Sequence, residues 1–303
     1  MTAQPAVNLH LPSTPLFPKL VPVSVPPRPP VTVIVPCYDE AEGIPTLLAR
    51  LETLTPLGWE IVFVDDGSRD ATFATLLDAA RSRPWMRVVR HGTNLGLGAA
   101  LRTGFARARG PIVCTMDSDC TYLPERLPEL VGLIEQGADI ATASPWHPES
   151  VPAEQNLLHL GLRLGLSRAL SGLYRLLIGR DVHTFTCLHR AYRREVVDAT
   201  RFRASGCAAV AELLLRGMLG GWRVREVPMQ LGARRFGESK LKIGNAIVAH
   251  LGLLSLTAVV VWARWVRRCI SARVPSRPMA RSSGWVSSGS GAPAASISTR
   301  GGP

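Results

Sequence analysis

Apolar and polar positions along the chain fall into two alternating rhythms. Val31-Thr-Val-Ile-Val35 is an almost unbroken β-branched run, the pattern of a strand buried on both faces. From Ile44 to about Leu54 apolar residues recur at helical spacing, and Pro56 and Gly58 end that segment. The alternation then repeats. It predicts a strand over Glu60–Val64, a helix over Ala71–Ala80, a strand over Met86–Arg90, a helix opening after Asn94 and reaching Arg107, and a strand over Pro111–Met116. A helix at Leu127–Gln136 and a strand at Asp139–Ala143 continue the series. Further on, the pattern predicts a long apolar-rich helix over about Leu157–Leu177, helices near Arg194–Thr200 and Val210–Met218, and a strand over Trp222–Pro228. Strands alternating with helices imply βαβ units, hence an α/β fold with a mainly parallel sheet flanked by helices.

In such sheets ligands bind beyond the carboxyl ends of the strands. Three acidic segments stand at those ends: Tyr38-Asp39-Glu40, Asp65-Asp66 and Asp117-Ser118-Asp119. Two acids separated by one residue point to the same side of an extended chain. They repel unless a cation, such as a divalent metal taking oxygen ligands, lies between them. A single D-x-D is equally a strand running into a turn. Three acidic strand ends together shift the reading toward a site.

From Ala246 to Ala263 the chain has no charged side chain apart from His250, and basic residues flank the stretch: Arg234, Arg235, Lys240 and Lys242 before it, Arg264, Arg267 and Arg268 after it. That length is at the lower edge of a transmembrane span, so a spanning, re-entrant or surface-lying helix and a buried core helix all remain open. Residues 1–30 are rich in proline and read as a disordered leader without a secretory signal. The expected layout is a leader over 1–30, a catalytic domain over 31–242, a membrane-associated or transmembrane helix over 243–268 and a disordered tail over 269–303.

The formal net charge is +12, and only Lys19, Lys240 and Lys242 among the 35 basic residues are lysine. Such a charge suits an anionic partner, whether phosphate, nucleic acid or membrane. No nucleic-acid-binding motif or interleaved aromatic platform accompanies it, so no nucleic-acid partner is expected. The six cysteines form no C-x-x-C pair, which excludes a zinc framework and fits a reducing compartment.

Read together, V-I-V-P-C-Y-D-E (Val33–Glu40), V-D-D-G-S-R-D (Val64–Asp70), N-L-G-L-G-A-A-L-R-T-G-F (Asn94–Phe105) and M-D-S-D (Met116–Asp119) resemble the inverting family 2 glycosyltransferases of GT-A fold. The resemblance is to their dolichyl-phosphate mannosyltransferase-like, polyprenyl-phosphate branch, and it runs from Val31 to Lys242. It implies that Pro36, Tyr38, Glu40, Asp65, Asp66 and Gly98 bind a UDP- or GDP-sugar. Asp117 and Asp119 would act at the catalytic centre and hold Mg²⁺ or Mn²⁺. In Cys187-Leu-His-Arg-Ala-Tyr-Arg-Arg194 the resemblance marks Arg190, and in Arg234-Arg235-Phe-Gly-Glu-Ser-Lys240 it marks Arg235, Ser239 and Lys240, as contacts to an acceptor phosphate. A basic helix start is the alternative for the first of these segments and a solvated charge run for the second. Thr121 stands where this branch often has a glutamine, and Ala143-Ser-Pro-Trp146 replaces a G-S-R, leaving Arg163 and Arg168 as candidate phosphate ligands.

No Q-x-x-R-W signature of processive members is present, so one sugar per acceptor is expected, delivered to a polyprenyl phosphate at the cytoplasmic face of a membrane. A phosphate acceptor needs little help from a base, and Asp119 and Glu212 are the residues to test for that role. The alternatives are another lipid or glycan acceptor, or a nucleotide-sugar-binding protein whose catalysis has decayed.

Overall fold

A computed structural model describes residues 28–150, 161–232 and 243–273. The leader, the first residues of the expected 157–177 helix, the basic segment 233–242 with Arg235, Ser239 and Lys240, and the tail beyond Arg273 lie outside the described residues. Two units are distinguished, residues 1–261 and 262–303. The described part of the second is the end of the last helix.

In chain order the elements are β1 (Val31–Cys37), α1 (Ile44–Leu51), β2 (Glu60–Asp65), α2 (Thr72–Ala80), β3 (Met86–Arg90), α3 (Leu97–Arg107), β4 (Ile112–Thr115) and α4 (Leu127–Glu135). There follow β5 (Ile140–Ser144), α5 (Gly161–Ile178), β6 (Arg190–Arg193), α6 (Arg194–Ala199), α7 (Ala208–Leu219), β7 (Val224–Pro228) and α8 (Ile243–Arg273). Pro56 sits in a 3-10 turn that continues α1, and Gly58 closes it at φ 67°, a left-handed conformation that glycine takes without a Cβ penalty.

The seven strands form one sheet in the order β3-β2-β1-β4-β6-β5-β7. β1 to β4 are parallel, as are β5 and β7, while β6 runs antiparallel to both of its neighbours. The mainly parallel sheet is therefore as expected, but β6 was not legible. Arg-Ala-Tyr-Arg carries two charges in four residues and reads as a basic helix start; the helix begins only at Arg194. The strand's arginines find carbonyl partners within the fold, Arg193 donating to Ala138 O and Ile134 O.

Both faces of the sheet are covered. Val31, Val33 and Val35 pack with α1 and α4 through Leu47, Leu51, Leu127 and Leu130. Ile34, Val62 and Val64 face the other way, onto Leu101 and Phe105 of α3 and Leu213 and Leu214 of α7. Adjacent positions on one strand serve opposite layers, which is why the middles of β1 and β2, Val33–Val35 and Ile61–Val64, are apolar.

Candidate active site

All three acidic strand ends lie at the carboxyl edge of the sheet. The β1 and β2 loops brace each other. Asp39 N donates to Ser68 Oγ (3.0 Å), Arg69 N to Asp39 Oδ1 (2.8 Å), Glu40 N to Thr72 Oγ1 (2.8 Å) and Ala41 N to Asp70 Oδ2 (3.1 Å). Asp39 holds φ 52°, a left-handed conformation costly for any residue but glycine, and this mesh keeps it there. Burial works to raise the Asp70 carboxyl, but hydrogen bonds from Thr72 and Ala41 outweigh it and hold it below the ordinary value.

Asp65 and Asp66 are buried and differently employed. Asp66 accepts Leu95 N (3.0 Å) and Gly96 N (2.8 Å) and pairs with His91 Nδ1 (2.7 Å), while His91 Nε2 meets Thr103 Oγ1 (2.9 Å). Its carboxylate thus shapes the loop entering α3. Asp65 Oδ1 accepts Ser68 N (3.3 Å), and Oδ2 lies 3.2 Å from Arg90 Nε without a hydrogen bond. The Arg90 guanidinium stacks on Phe73 at 4.5 Å. Pro36, Tyr38 and Glu40 lie partly buried on the same edge.

Gly96 and Gly98 open α3 against the 204–206 backbone. A Cβ on Gly98 would stand 2.0 Å from Ala204 O, and Gly98 N donates to Ser205 O (2.6 Å). The glycines are thus needed for a chain-on-chain approach. Glu212 accepts Arg203 N (2.9 Å) and Ala204 N (2.8 Å), and it also takes Arg216 Nε (2.6 Å). Burial opposes the charge on Glu212, yet these donors lower its carboxyl, so it is an ionised brace for the same loop.

At the end of β4, Asp117 and Asp119 are half-buried around buried Ser118, and Cys120 turns the chain at φ 55°. Thr121 donates to Asp119 Oδ1 twice, from N (3.0 Å) and from Oγ1 (2.8 Å), while Thr121 O accepts Gly232 N (2.8 Å). Among the described residues no three His, Cys, Asp or Glu side chains cluster as a metal cage. The donor set here is nevertheless all oxygen, two carboxylates and a threonine hydroxyl. That chemistry fits Mg²⁺ or Mn²⁺, which fill their remaining positions with water or substrate phosphate.

Behind this loop Tyr122 stacks on His189 at 5.4 Å. His189 is fully buried with neither ring nitrogen hydrogen-bonded, and burial, reinforced by Arg126, lowers it to about 3, leaving it neutral. Arg190 is also fully buried; Nε donates to Thr142 Oγ1 (3.0 Å), one terminal nitrogen to Val210 O (2.6 Å) and the other to Phe185 O (2.8 Å). It ties β6 to β5 and α7, with no exposed atom to offer a ligand. Of the other candidate arginines, Arg168 lies exposed on α5 with its guanidinium 5.8 Å from the Trp146 ring.

A cavity of about 480 Å³ opens from Asp119 and Thr121 and runs between α5 and α8. Leu166, Leu170 and Leu173 line one wall, Ile247, Leu251 and Leu254 the other. Its lining is mostly apolar, with His250 and Cys207 among the exceptions. The sequence signalled both helices but not that their apolar sides would face each other across a gap leading to the D-x-D carboxylates.

The family described as Glycosyl transferase family 2 matches residues 32–201. The chain is 33% identical over 226 residues to a dolichol-phosphate mannosyltransferase of Pyrococcus furiosus, covering 73% of this chain and 61% of that protein. It is also 33% identical over 231 residues to a polyprenol monophosphomannose synthase of Mycolicibacterium smegmatis, covering 74% of this chain and 85% of the relative. Among solved structures, glucosyl-3-phosphoglycerate synthase from Mycobacterium tuberculosis, in complex with Mn²⁺ and UDP-glucose, superposes with a TM-score of 0.56 at 22% identity, covering 74% of this chain and 78% of that one. At that identity the likeness establishes the fold, a GT-A-like mixed sheet.

Proposed function

The chain belongs to glycosyl transferase family 2, and on that premise we propose that it transfers one sugar, with inversion, from a UDP- or GDP-sugar to a polyprenyl phosphate at the cytoplasmic face of a membrane. The observation that carries this reading is the apolar cavity between α5 and α8, which ends at Asp119 and Thr121. A polyprenyl chain fills such a cavity, and its phosphate then reaches the carboxylate end. The relatives' names, a dolichol-phosphate mannosyltransferase and a polyprenol monophosphomannose synthase, point to the same acceptor class.

In this reading the donor nucleotide lies across the β1 and β2 ends. Asp65 Oδ2, buried and without a hydrogen bond, is the acceptor for an N–H or O–H of the nucleoside. Pro36, Tyr38 and Glu40 wall the pocket, while Asp66 and Gly98 act by fixing the loop beside it. Asp117 and Asp119 would hold Mg²⁺ or Mn²⁺, which when bound neutralises the charge of the leaving diphosphate. Arg235, Ser239 and Lys240 meet the acceptor phosphate, and Arg190 positions the strand behind it. The acceptor phosphate is largely dianionic at neutral pH and attacks the sugar C1 without a protein base. This agrees with Glu212 being engaged by Arg203, Ala204 and Arg216. Catalysis then rests on positioning and electrostatics.

The test is incubation of the full chain with labelled UDP- and GDP-sugars and undecaprenyl or dolichyl phosphate in detergent, followed by lipid extraction. One donor is expected to label the lipid, with label lost in EDTA and in Asp119→Ala. No labelled polyprenyl lipid with any donor, while a diacylglycerol or glycan offered in parallel is labelled, would replace this reading.

A further inference from the structure

α8 is long and apolar enough to cross a membrane, yet its contacts argue for another placement. One of its faces is docked. His250, only 6% exposed, meets the Tyr174 hydroxyl of α5 through Nδ1 (3.0 Å), and Nε2 faces Cys207 Sγ at 4.0 Å. Leu253 and Leu254 pack on the cluster that holds Tyr174 and Phe185, and Thr257 is buried. Ile243, Ala246 and Ile247 roof the cavity. Positions 243, 246, 250, 253, 254 and 257 share one helical face, so α8 is committed to the catalytic unit along its first four turns.

What remains cannot reach across a bilayer. From Ala258 to Arg273 the helix extends about 24 Å at 1.5 Å per residue, against a hydrocarbon core of about 30 Å. Within that length Arg264, Arg267, Arg268 and Arg273 interrupt it, leaving Ala258–Ala263, about 9 Å, free of charge.

The opposite face of α8 is exposed and apolar: Val248, Leu256 and Val259 are 71%, 53% and 61% accessible, and further along the same helix Trp262 and Trp265 are exposed too. The hydroxyl of Ser255 on that face is satisfied within the helix, donating to Leu251 O (3.0 Å). On α5, Leu176 is 81% accessible, and Leu166 and Leu173 at the cavity wall keep 37% and 51% of their surface exposed. Leucines on the outside, tryptophans at the end and arginines next to them match the layers of a membrane surface: acyl chains, the interface and anionic headgroups.

We propose that α8 lies in the plane of an anionic lipid surface, pinned to the catalytic unit by His250 and Tyr174, and does not cross the bilayer. This rests on the acceptor being a membrane lipid, for then the cavity between α5 and α8 opens into the layer that holds it. The full chain, carrying an epitope after Pro303, is placed in sealed inside-out and right-side-out vesicles and treated with protease. The epitope is expected to be removed completely from inside-out vesicles and retained in right-side-out ones, with the same sidedness as a cleavage site engineered at Glu149. Opposite sidedness of the two sites would overturn the in-plane placement. Val248→Arg, which touches neither the cavity nor the core, is expected to reduce partitioning onto vesicles containing phosphatidylglycerol by about tenfold. Unchanged partitioning would overturn the lipid surface as occupant. Neither readout involves sugar transfer, so a wild-type chain that labels no polyprenyl phosphate in detergent would sink the proposed function without deciding this one.

Discussion

Replacing Arg190 by methionine separates two roles that one arginine could play. If the guanidinium meets the acceptor phosphate, the change raises the KM for lipid and leaves the fold alone. The structure points the other way. Three donors of a fully buried fork reach Thr142 Oγ1, Val210 O and Phe185 O, at 3.0, 2.6 and 2.8 Å. Bonds from a charged donor contribute about 1.5–3 kcal/mol each, but removing the cation also removes its desolvation cost. Methionine fills much of the aliphatic volume and leaves three neutral acceptors unpaired, at about 1–3 kcal/mol each, so the net loss after that relief is about 3–5 kcal/mol. Urea unfolding of the full chain, followed by far-UV circular dichroism, should show a lower midpoint at unchanged slope. Arg190→Lys keeps the charge but not the fork, and is expected to fall between the two. An Arg190→Met chain with the wild-type midpoint and an acceptor KM raised about tenfold would refute the reasoning.

Other expectations follow from the same edge of the sheet. His189 titrates near 6.5 when unfolded and at about 3 when folded. The unfolded chain therefore binds the extra proton between those values, and stability is lost as pH falls below 6.5, by about 1.4 kcal/mol per pH unit. A pH series of urea midpoints should show this slope in the wild type and a shallower one in His189→Phe; parallel series would contradict it. Gly98→Ala drives a Cβ into the Ala204 carbonyl, a clash a backbone cannot yield to cheaply. It is expected to cost about 2 kcal/mol of stability and to weaken nucleotide-sugar binding by calorimetry, and a chain unaffected in both would refute the packing argument. Thr121→Val removes the hydroxyl that donates to Asp119 and is expected to weaken Mn²⁺ binding severalfold in a titration without substrates.

The alternation of β-branched runs with helical periodicities made the first four strands legible, and of these β1, β2 and β4 are largely buried apolar runs that each lead into an acidic loop. Arg190 and Tyr192 were harder. β6 is short and gains its burial from partners far along the chain, which no local pattern records. The acidic residues were found as a set, but their division of labour was not. Asp65 and Asp66 are adjacent and chemically identical, and only the positions of Arg90, His91 and the Leu95–Gly96 amides tell them apart. The α8 segment showed its length and apolarity; that His250 docks it onto Tyr174 depends on α5, 76 residues earlier.

The position of β6 also bears on the order in which the protein is made. β3, β2, β1 and β4 are paired with one another and come from a continuous stretch, Val31 to Thr115. β5 and β7 join that half only through β6, which lies between β4 and β5. As the chain leaves the ribosome, the half carrying Asp65 and Asp117 can pair its strands while β5 waits for a neighbour some 45 residues downstream. The donor side of the pocket is thus set before the acceptor side has an edge to attach to, and a nascent chain arrested before Arg190 would expose one edge of β4 to aggregation.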